Sequence, residues 1–522
     1  MKRKWKRFKS GGFMGEKAVE TIRQVPKRVA GVLAHPTSFP SVYGIGDLGS
    51  GAYRFLDFLA EAGQKIWQVL PIGPTGFGDS PYQAFSSFAG QPLLISPERL
   101  VEKRLLVEED FREMPKWDAK KVDYGPLIEF KTHLLRRAYE SFQVLPDTKM
   151  KEELQEFEKE HAFWLEDYAL FMAGKDAHEG RSWLEWEDDL RDPDEEIKAK
   201  WAEKLSESIK YYKFIQFLFF EQWGALKRYA NERGIQIVGD IPIFVAIDSA
   251  DVWANKGLFQ LDSKGYPTVV AGVPPDYFSA TGQLWGNPLY DWKAMKQEEY
   301  RWWISRIKMQ LKLVDYLRID HFRGFETYWA VPYGEQTAIH GEWKKGPCEE
   351  FFFAVQKELG EDIPIFAEDL GIITPEVEKL RDQFGLPGMK ILQFAFDNTS
   401  ENNFLPHYYH SNCICYTGTH DNDTTIGWYQ KASENSKNKC RIYMNSASGK
   451  EEDVCWDFIR TALGSTAAYA IIPMQDLLCK GSESRMNTPS MPGGNWAYRF
   501  EEWEMSHELA GRLRGMTQLY GR

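Results

Sequence analysis

An alternation of short apolar runs with helix-period segments constrains the fold of this 522-residue chain more than any other feature. Five amphipathic helices are predicted between the runs, at 51–62, 214–233, 298–313, 375–383 and 451–463. The eight strand-like runs span 31–35, 66–71, 235–243, 316–320, 364–368, 390–396, 413–417 and 467–473. A strand, a helix and a second strand in succession favour parallel pairing, and eight such units can close into a ring. We therefore predict an α/β fold, a (β/α)8 TIM barrel with insertions between its strands.

Two long segments interrupt this alternation. The first covers about 73–211 and shows helical spacing at 98–113, 127–142 and 149–175, which predicts an inserted helical subdomain. The second covers about 244–292, is rich in Pro, Gly and aromatic residues, and is predicted to form aromatic lid loops. The catalytic barrel is expected to span 29–522, preceded by a basic, disordered tail over 1–28.

Composition excludes several classes of protein. The net charge of −12 leaves no basic face for general nucleic-acid binding, and no apolar stretch is long enough to span a membrane. The basic opening lacks the apolar run of a secretory signal, and six cysteines without paired spacing form no disulfide framework. We predict a cytoplasmic protein, with a plastid location as the weaker alternative.

Three of the predicted strands deliver a carboxylate at or just beyond their C-terminal end. Asp320 ends the run at 316–320, Glu368 ends the run at 364–368, and Asp421 follows the run at 413–417. Active sites of (β/α)8 barrels lie at this end of the strands. The sequence therefore predicts one cleft lined by three acids. For any single one, a helix cap or a salt-bridge partner remains an alternative interpretation.

Paired carboxyl groups suit the cleavage of glycosidic bonds, which needs one proton donor and, in the retaining route, one nucleophile. Arg318 precedes Asp320 by two residues and projects from the same strand face, so it would keep Asp320 ionised. The apolar run before Glu368 should raise the pKa of this residue, as a proton donor requires. Asp421 remains to bind sugar hydroxyls in the transition state.

Other chemistries find weaker support. The segment 420–423 could hold a hard cation, but neither an HExxH motif nor a calcium-loop pattern accompanies it. Gly44, Gly46 and Gly49 match GxGxxG, yet no strand leads directly into them, so a turn is the better interpretation. The chain contains no GxSxG nucleophile elbow. We expect no metal and no cofactor.

The segment 274–290 combines aromatic, amide and hydroxyl side chains on a long stretch marked by Gly and Pro. Loops of this length in compact domains are usually functional, and flat aromatic faces suit sugar rings. We interpret it as a lid that stacks on sugars and excludes water. The alternative is a packed loop with buried aromatic residues.

With these residues in place, the chain resembles the amylomaltases, the 4-alpha-glucanotransferases or disproportionating enzymes of the α-amylase superfamily. The resemblance covers about 29–518. It rests on segments that match in order, at 73–83, 239–245, 248–253, 274–292, 317–324, 367–371, 388–394, 418–424 and 485–496. It implies that Asp320 is the nucleophile, Glu368 the acid/base and Asp421 the stabiliser of the transition state. It also implies a set of substrate-binding residues: Tyr82 stacked on a donor-side glucose; Asp240, Arg318, His321 and His420 on sugar hydroxyls or the nucleophile; Tyr277, Phe278 and Trp285 in the lid; and Asn487 along the cleft.

The expected activity is retaining transfer of α-1,4-glucan segments from maltooligosaccharides or starch to the 4-hydroxyl of an acceptor glucan or glucose. Two alternatives stay open, an α-1,4-glucan hydrolase on the same barrel and a non-catalytic glucan-binding protein. Incubation with maltotriose separates all three. Transfer makes longer chains at constant reducing ends, hydrolysis raises the reducing ends, and binding releases no glucose.

Overall fold

The computed structural model describes residues 28–146, 148–275, 279–396, 402–446, 448–491 and 493–522. Within these ranges it contains strands β1 (Val29–Leu33), β2 (Ile66–Gln68), β3 (Gln236–Pro242), β4 (Val269–Val273), β5 (Gln283–Pro288), β6 (Tyr316–Asp320), β7 (Thr327–Pro332), β8 (Glu342–Lys345), β9 (Ile365–Ala367), β10 (Gly388–Ile391), β11 (Cys413–Tyr416) and β12 (Tyr469–Pro473).

The helices surround and interrupt these strands. They are α1 (Ser50–Glu61), α2 (Pro97–Glu102), α3 (Tyr124–Val144), α4 (Thr148–Ala177), α5 (Asp188–Arg191), α6 (Glu195–Lys204), α7 (Ser206–Glu232), α8 (Ala250–Ala254), α9 (Trp292–Gln297), α10 (Arg301–Leu313), α11 (Cys348–Leu359), α12 (Pro375–Gln383), α13 (Thr425–Lys431), α14 (Glu434–Met444), α15 (Glu451–Gly464), α16 (Met474–Leu477) and α17 (His507–Leu519).

Eight parallel strands form the central sheet, in the order β10-β11-β12-β1-β2-β3-β6-β9. The two outer strands meet across a seam, where the backbone N–H of Ala367 donates to the carbonyl oxygen of Pro387 at 2.9 Å. The N–H of Met389 donates to Oδ1 of Asp369 at 2.6 Å across the same seam. The predicted (β/α)8 barrel is confirmed, with all eight predicted strands in place. Its strands are buried because helices cover the outside and side chains fill the inside.

Helix ends follow local backbone chemistry. Helix α7 ends before Gly234, whose φ of 69° is the left-handed conformation that glycine adopts most readily. Helix α10 begins at Arg301 instead of 298, because Glu299 and Tyr300 take φ values of 55° and 56°. The helix predicted over 98–113 is wrong in extent. Helix α2 ends at Glu102, and Arg104 has a φ of 59° that no α-helix continues through.

A second sheet lies beside the mouth of the barrel. It is antiparallel, in the order β5-β4-β7-β8, and draws two strands from the second insertion and two from the segment after β6. The long loop predicted over 274–290 is therefore in part the strand β5, paired with β4. The predicted strand 390–396 is also shorter than expected, because a 3-10 helix at Leu392–Phe396 follows β10.

The chain between β2 and β3 carries α2 to α7, where the sequence predicts helical spacing. Most of the predicted tail lies outside the described residues. Arg28, the first described residue, donates to the carbonyl oxygens of Tyr520 at 2.7 Å and Ser465 at 2.7 Å, which ties the start of β1 to the chain's last helices. No helix within the described ranges combines the length and the apolar character needed to cross a membrane.

Candidate active site

Two of the predicted acids sit on neighbouring strands at the same level of the barrel mouth. Ile319 of β6 pairs with Ala367 of β9, so Asp320 and Glu368 are the next residue on each strand. The N–H of Glu368 donates to the carbonyl oxygen of Ile319 at 3.0 Å, which continues the ladder to this level. Strand register therefore brings the two carboxyl groups to one place.

The Glu368 carboxylate is held by backbone donors, one on each oxygen. The N–H of His321 donates to Oε2 at 2.7 Å and the N–H of Leu370 donates to Oε1 at 2.7 Å. His321 has a φ of 55°, and this left-handed turn immediately after Asp320 aims its N–H at the neighbouring strand. The backbone thus links the two acids directly.

Burial, together with the negative charge of Asp320, raises the pKa of Glu368 to about 8. The Arg318 guanidinium and the two backbone N–H groups act in the opposite direction and are outweighed. The carboxyl keeps part of its surface open to the cleft, yet protein atoms surround it closely enough for desolvation to dominate. Glu368 is consequently protonated at neutral pH.

Arg318 bridges two carboxylates inside the barrel. Its Nη2 donates to Oδ1 of Asp320 at 2.8 Å, and its Nη1 donates to Oδ2 of Asp240 at 2.6 Å. The Asp240 side chain is 0% exposed and that of Arg318 4% exposed, against 29% for Asp320. Desolvation is outweighed by these charges, so the pKa of Arg318 lies well above its usual value. Asp320 therefore faces the cleft as an arginine-bound carboxylate, whereas Asp240 lies buried on the other side of Arg318 and contacts the same guanidinium.

The third acid joins the same network through Tyr82. The Tyr82 hydroxyl donates to Oδ2 of Asp240 at 2.9 Å and lies 2.9 Å from Nε2 of His420. Because the Tyr82 hydroxyl donates its proton to Asp240, its oxygen can only accept from His420. We therefore assign a proton to Nε2 of His420. The same Nε2 lies 3.4 Å from Oδ2 of Asp421. An unbroken chain of polar contacts thus connects Asp320 with Asp421.

Aromatic rings and neutral imidazoles line this network. The Tyr82 ring stacks on the His420 ring at 5.3 Å and 13°, and the Trp496 ring lies 5.8 Å from it at 43°. Burial lowers the pKa of His420, and it lowers the pKa of His321 to about 3. Both histidines are neutral in the working pH range. They can therefore donate and accept hydrogen bonds without adding charge.

Asn487 and Arg485 hold Asp421 from the far side. The Asn487 amide donates to Oδ1 of Asp421 at 2.6 Å, and the Arg485 guanidinium donates to the Asp421 carbonyl oxygen at 2.5 Å. Asn487 is among the residues predicted from the sequence, whereas Arg485 is not. Arg485 opens the matched segment 485–496, which was the one available signal for it.

One predicted lid residue can be placed and two cannot. Trp285, on β5, meets the His321 ring edge-on at 4.8 Å and 88°, and its indole N–H donates to Oε1 of Gln283 at 3.2 Å. It therefore stands beside the residue that follows Asp320. Tyr277 and Phe278 lie outside the described residues.

The hard-cation site considered for the segment 420–423 finds no support at Asp423. Its carboxylate contacts Lys431 at 2.5 Å and the Ser482 hydroxyl at 2.8 Å, and these partners are not shared with Asp421.

At the glycine-rich turn that matches GxGxxG, the first N–H groups of α1 are already bound. The N–H of Gly49 donates to Asp47 and that of Ser50 donates to Glu98, both within 2.9 Å. Carboxylates thus fill the position a phosphate would need.

A protonated glutamic acid beside an arginine-bound aspartate, at the mouth of a (β/α)8 barrel, defines a class of protein. It is the class of barrel enzymes that act on glycosidic bonds with paired carboxyl groups.

Comparison with known proteins narrows this class. The profile of the 4-alpha-glucanotransferase family, glycoside hydrolase family 77, matches residues 34–505. A 4-alpha-glucanotransferase of Synechocystis sp. is 50% identical over 498 residues, covering 95% of this chain and 98% of the relative. One from Thermus thermophilus is 50% identical over 496 residues, covering 94% and 98%. The structure of an amylomaltase from Streptococcus agalactiae in complex with acarbose superposes with a TM-score of 0.91 at 41% identity, covering 95% and 100%.

This chain belongs to the 4-alpha-glucanotransferase (amylomaltase) family. It is an enzyme of that transferase class, as the resemblance of its motifs predicts.

Proposed function

We propose that the chain transfers α-1,4-glucan segments between maltooligosaccharides or starch chains by a retaining mechanism, through a covalent glycosyl-enzyme on Asp320. The observation that carries this proposal is the opposite electrostatic setting of two adjacent carboxyl groups. Glu368 is protonated because of burial and the neighbouring negative charge, whereas Asp320 is bound by Arg318. Pairs of titratable groups with divergent environments are the signature of acid and nucleophile roles.

In the first step, Glu368 gives its proton to the glycosidic oxygen as the bond from that oxygen to the anomeric carbon breaks. A carboxylate oxygen of Asp320 forms the new bond to the anomeric carbon. The departing glucan leaves with a free 4-hydroxyl, and Glu368 is left ionised. The two backbone N–H donors on Glu368 stabilise the carboxylate formed at this moment.

In the second step, the 4-hydroxyl of an acceptor glucan attacks the anomeric carbon. Glu368 takes the hydroxyl proton, the new oxygen–carbon bond forms, and the Asp320 carboxylate leaves. Arg318 keeps that carboxylate a good leaving group in this step, because its guanidinium donates to Oδ1 throughout. The configuration at the anomeric carbon is inverted twice and so retained.

Asp421 is proposed to stabilise the transition state by accepting hydrogen bonds from sugar hydroxyls. Its carboxylate is 44% exposed, which leaves it accessible from the cleft, while Asn487 and His420 fix its orientation. Preorganised acceptors of this kind strengthen as charge develops on the sugar. Trp285 is proposed to pack on the acceptor side and exclude water, so that sugar competes for the intermediate.

The nucleophile assignment is tested with Glu368→Gln and two donors. Maltotriose needs proton donation to its leaving oxygen, so its turnover should fall by about 10²- to 10⁴-fold. An α-maltosyl fluoride donor needs no such proton, so it should still react and leave a maltosyl group on the Asp320 peptide, detected by mass spectrometry. Asp362→Asn, a charge removal at an exposed residue, serves as the control.

A label on a different peptide would refute the assignment of Asp320. With the wild-type enzyme and maltotriose, rising reducing ends without longer chains would instead identify a hydrolase. Binding without any release of glucose would identify a non-catalytic protein.

A further inference from the structure

Two of the six cysteines converge at the end of α16. The Cys455 thiol, on α15, donates to the carbonyl oxygen of Asp476 at 3.1 Å. The backbone N–H of Cys479 donates to the same oxygen at 3.0 Å. Because both groups reach one acceptor atom, the two residues are close in space. All six cysteines fall in the described ranges, and each is a free thiol.

The surroundings of Cys479 are those of a reactive thiol. Its side chain is partly exposed, whereas Cys455 is 0% exposed. Arg512 stands nearby, with its guanidinium over the Trp456 ring at 3.8 Å. The neighbouring Cys455 thiol and the Arg512 guanidinium lower the pKa of Cys479, whereas burial and Glu452 act against them. A thiolate with a nearby cation and solvent access is the nucleophilic form of cysteine.

The other four cysteines differ. Burial raises the pKa of Cys413, Cys415 and Cys440 to about 12, which keeps these thiols protonated and inert. Cys348 is partly exposed, but burial also raises its pKa, and its thiol contacts the carbonyl oxygens of Glu326 and Gly346. Cys348 therefore provides an internal control for exposure without a cysteine partner.

We propose that Cys455 and Cys479 form a redox-active pair that closes reversibly to a disulfide, and that closure slows the enzyme. Disulfides are rare in reducing compartments, and those that form there are usually transient and redox-sensing. A buried thiol beside a more exposed one is the arrangement of a resolving and an attacking cysteine.

The oxidant is a disulfide, either of a small thiol or of a dithiol protein. The Cys479 thiolate attacks one sulfur of that disulfide, forming a mixed disulfide and expelling one thiolate. Cys455 then transfers its proton to the departing sulfur as its own sulfur attacks that of Cys479, and the second external thiol leaves. Two protein thiols are oxidised to one disulfide, and the external disulfide is reduced to two thiols.

The link to the site runs through Asp476, whose backbone the pair shares. The Asp476 carboxylate is buried and accepts from the N–H of Thr425 at 2.7 Å and from the hydroxyls of Thr425 and Thr417 at 2.8 and 2.5 Å. Thr417 and Thr425 flank the turn that carries Asp421. Asp476 therefore fixes both ends of that turn.

Closure of the disulfide removes the Cys455 donor from the Asp476 carbonyl oxygen and draws residue 479 toward α15. The chain from 479 runs on to Arg485 and Asn487, which hold Asp421. A displacement of about 1 Å among groups that position a reacting centre can cost 10²-fold in rate. Because the chain between Cys479 and Asn487 would pass only part of this shift on to Asp421, we expect kcat to fall by roughly tenfold.

The experiment treats the full-length enzyme with oxidised glutathione, followed by trapping of free thiols and peptide mapping. A disulfide joining the peptides of Cys455 and Cys479, reversed by dithiothreitol, is the expected result. The activity part rests on the proposed function, so maltotriose turnover is measured on the same samples. Cys348→Ser should keep both the linkage and the loss of kcat. Cys455→Ser should keep glutathione attached to Cys479, because no resolving thiol remains.

Two results would overturn the inference separately. If oxidation leaves both thiols free, or links other cysteines, the pair is not redox-active, whatever the activity shows. If the disulfide forms and kcat is unchanged, the coupling to Asp421 is refuted while the modification site stands. An enzyme with no transferase activity before oxidation would count against the proposed function alone, because the mapping does not depend on turnover.

Discussion

Replacing Glu368 by glutamine tests whether this carboxyl is protonated in the folded enzyme at neutral pH. The unfolded chain releases the proton near the ordinary pKa of 4.5, whereas the folded enzyme releases it near about 8. Between these pH values the native state holds one proton more than the unfolded state. The wild type should therefore lose stability relative to Glu368→Gln as the pH rises through this range.

The size of the effect follows from the two pKa values. Each pH unit between 4.5 and 8 changes the free energy of unfolding by about 1.4 kcal/mol, which accumulates to about 5 kcal/mol at most. Because the carboxyl keeps part of its surface at the cleft, solvent screens it, and we expect about half of that total. Below pH 4.5 both states are protonated and the difference should stay constant.

The assay is urea unfolding of both proteins at half-unit steps from pH 4 to pH 8. Glutamine places an NH₂ group against one of the two backbone donors, which lowers the free energy of unfolding of the variant by the same amount at every pH. The quantity of interest is the slope with pH of the difference in free energy of unfolding, which that constant offset does not change. The exposed Glu361→Gln serves as a control for removing one negative charge. If the difference in free energy of unfolding between wild type and Glu368→Gln stays constant from pH 5 to pH 8, Glu368 does not carry the raised pKa assigned to it.

Two further predictions concern neighbours of the two acids. Arg318→Met leaves the fully buried Asp240 carboxyl without its charged partner, with only the Tyr82 hydroxyl bound to it. Burial already raises the pKa of Asp240 to about 7, so at pH 8 the free energy of unfolding should fall by about 3–5 kcal/mol in urea titrations, and by less at lower pH, where Asp240 takes up a proton. Adding Asp240→Asn to that variant should recover most of the loss; no recovery would mean that the buried charge is not the cause. Trp285→Ala should open the acceptor side to water, raising the ratio of hydrolysis to transfer on maltotriose severalfold. An unchanged ratio of reducing ends to longer products would remove Trp285 from the lid.

Much of the barrel could be predicted because each strand carries its own local signal. All eight predicted strands form, and the helix at Pro375–Gln383 has the predicted bounds. The errors fall where backbone conformation overrides spacing. Arg104 and Tyr300 take left-handed φ values inside the predicted helices 98–113 and 298–313, and no periodicity reveals that. The antiparallel sheet was missed because β4, besides pairing with β5, pairs with β7 from a segment about 60 residues later in the chain, roughly the span of a βαβ unit or more.

The candidate site divides in the same way. Asp320, Glu368 and Asp421 could be named from their place after strand-like runs, and Arg318 from its spacing to Asp320. The polar network that connects these residues could not be predicted, because it depends on a contact between the Tyr82 hydroxyl and Nε2 of His420. The two atoms lie 2.9 Å apart, but the two residues are far apart in the chain. Arg485 was missed for the same reason.

The sequence by itself determined which eight segments become the barrel strands and that three of them lead into a carboxylate, because apolar periodicity and chain order are local properties. Only the tertiary structure decided that Asp240 is wholly buried behind Arg318, and that burial beside Asp320 keeps a proton on Glu368. The reason is physical: desolvation and charge–charge interaction depend on distances between residues far apart in the chain, and those distances exist only once the barrel has closed.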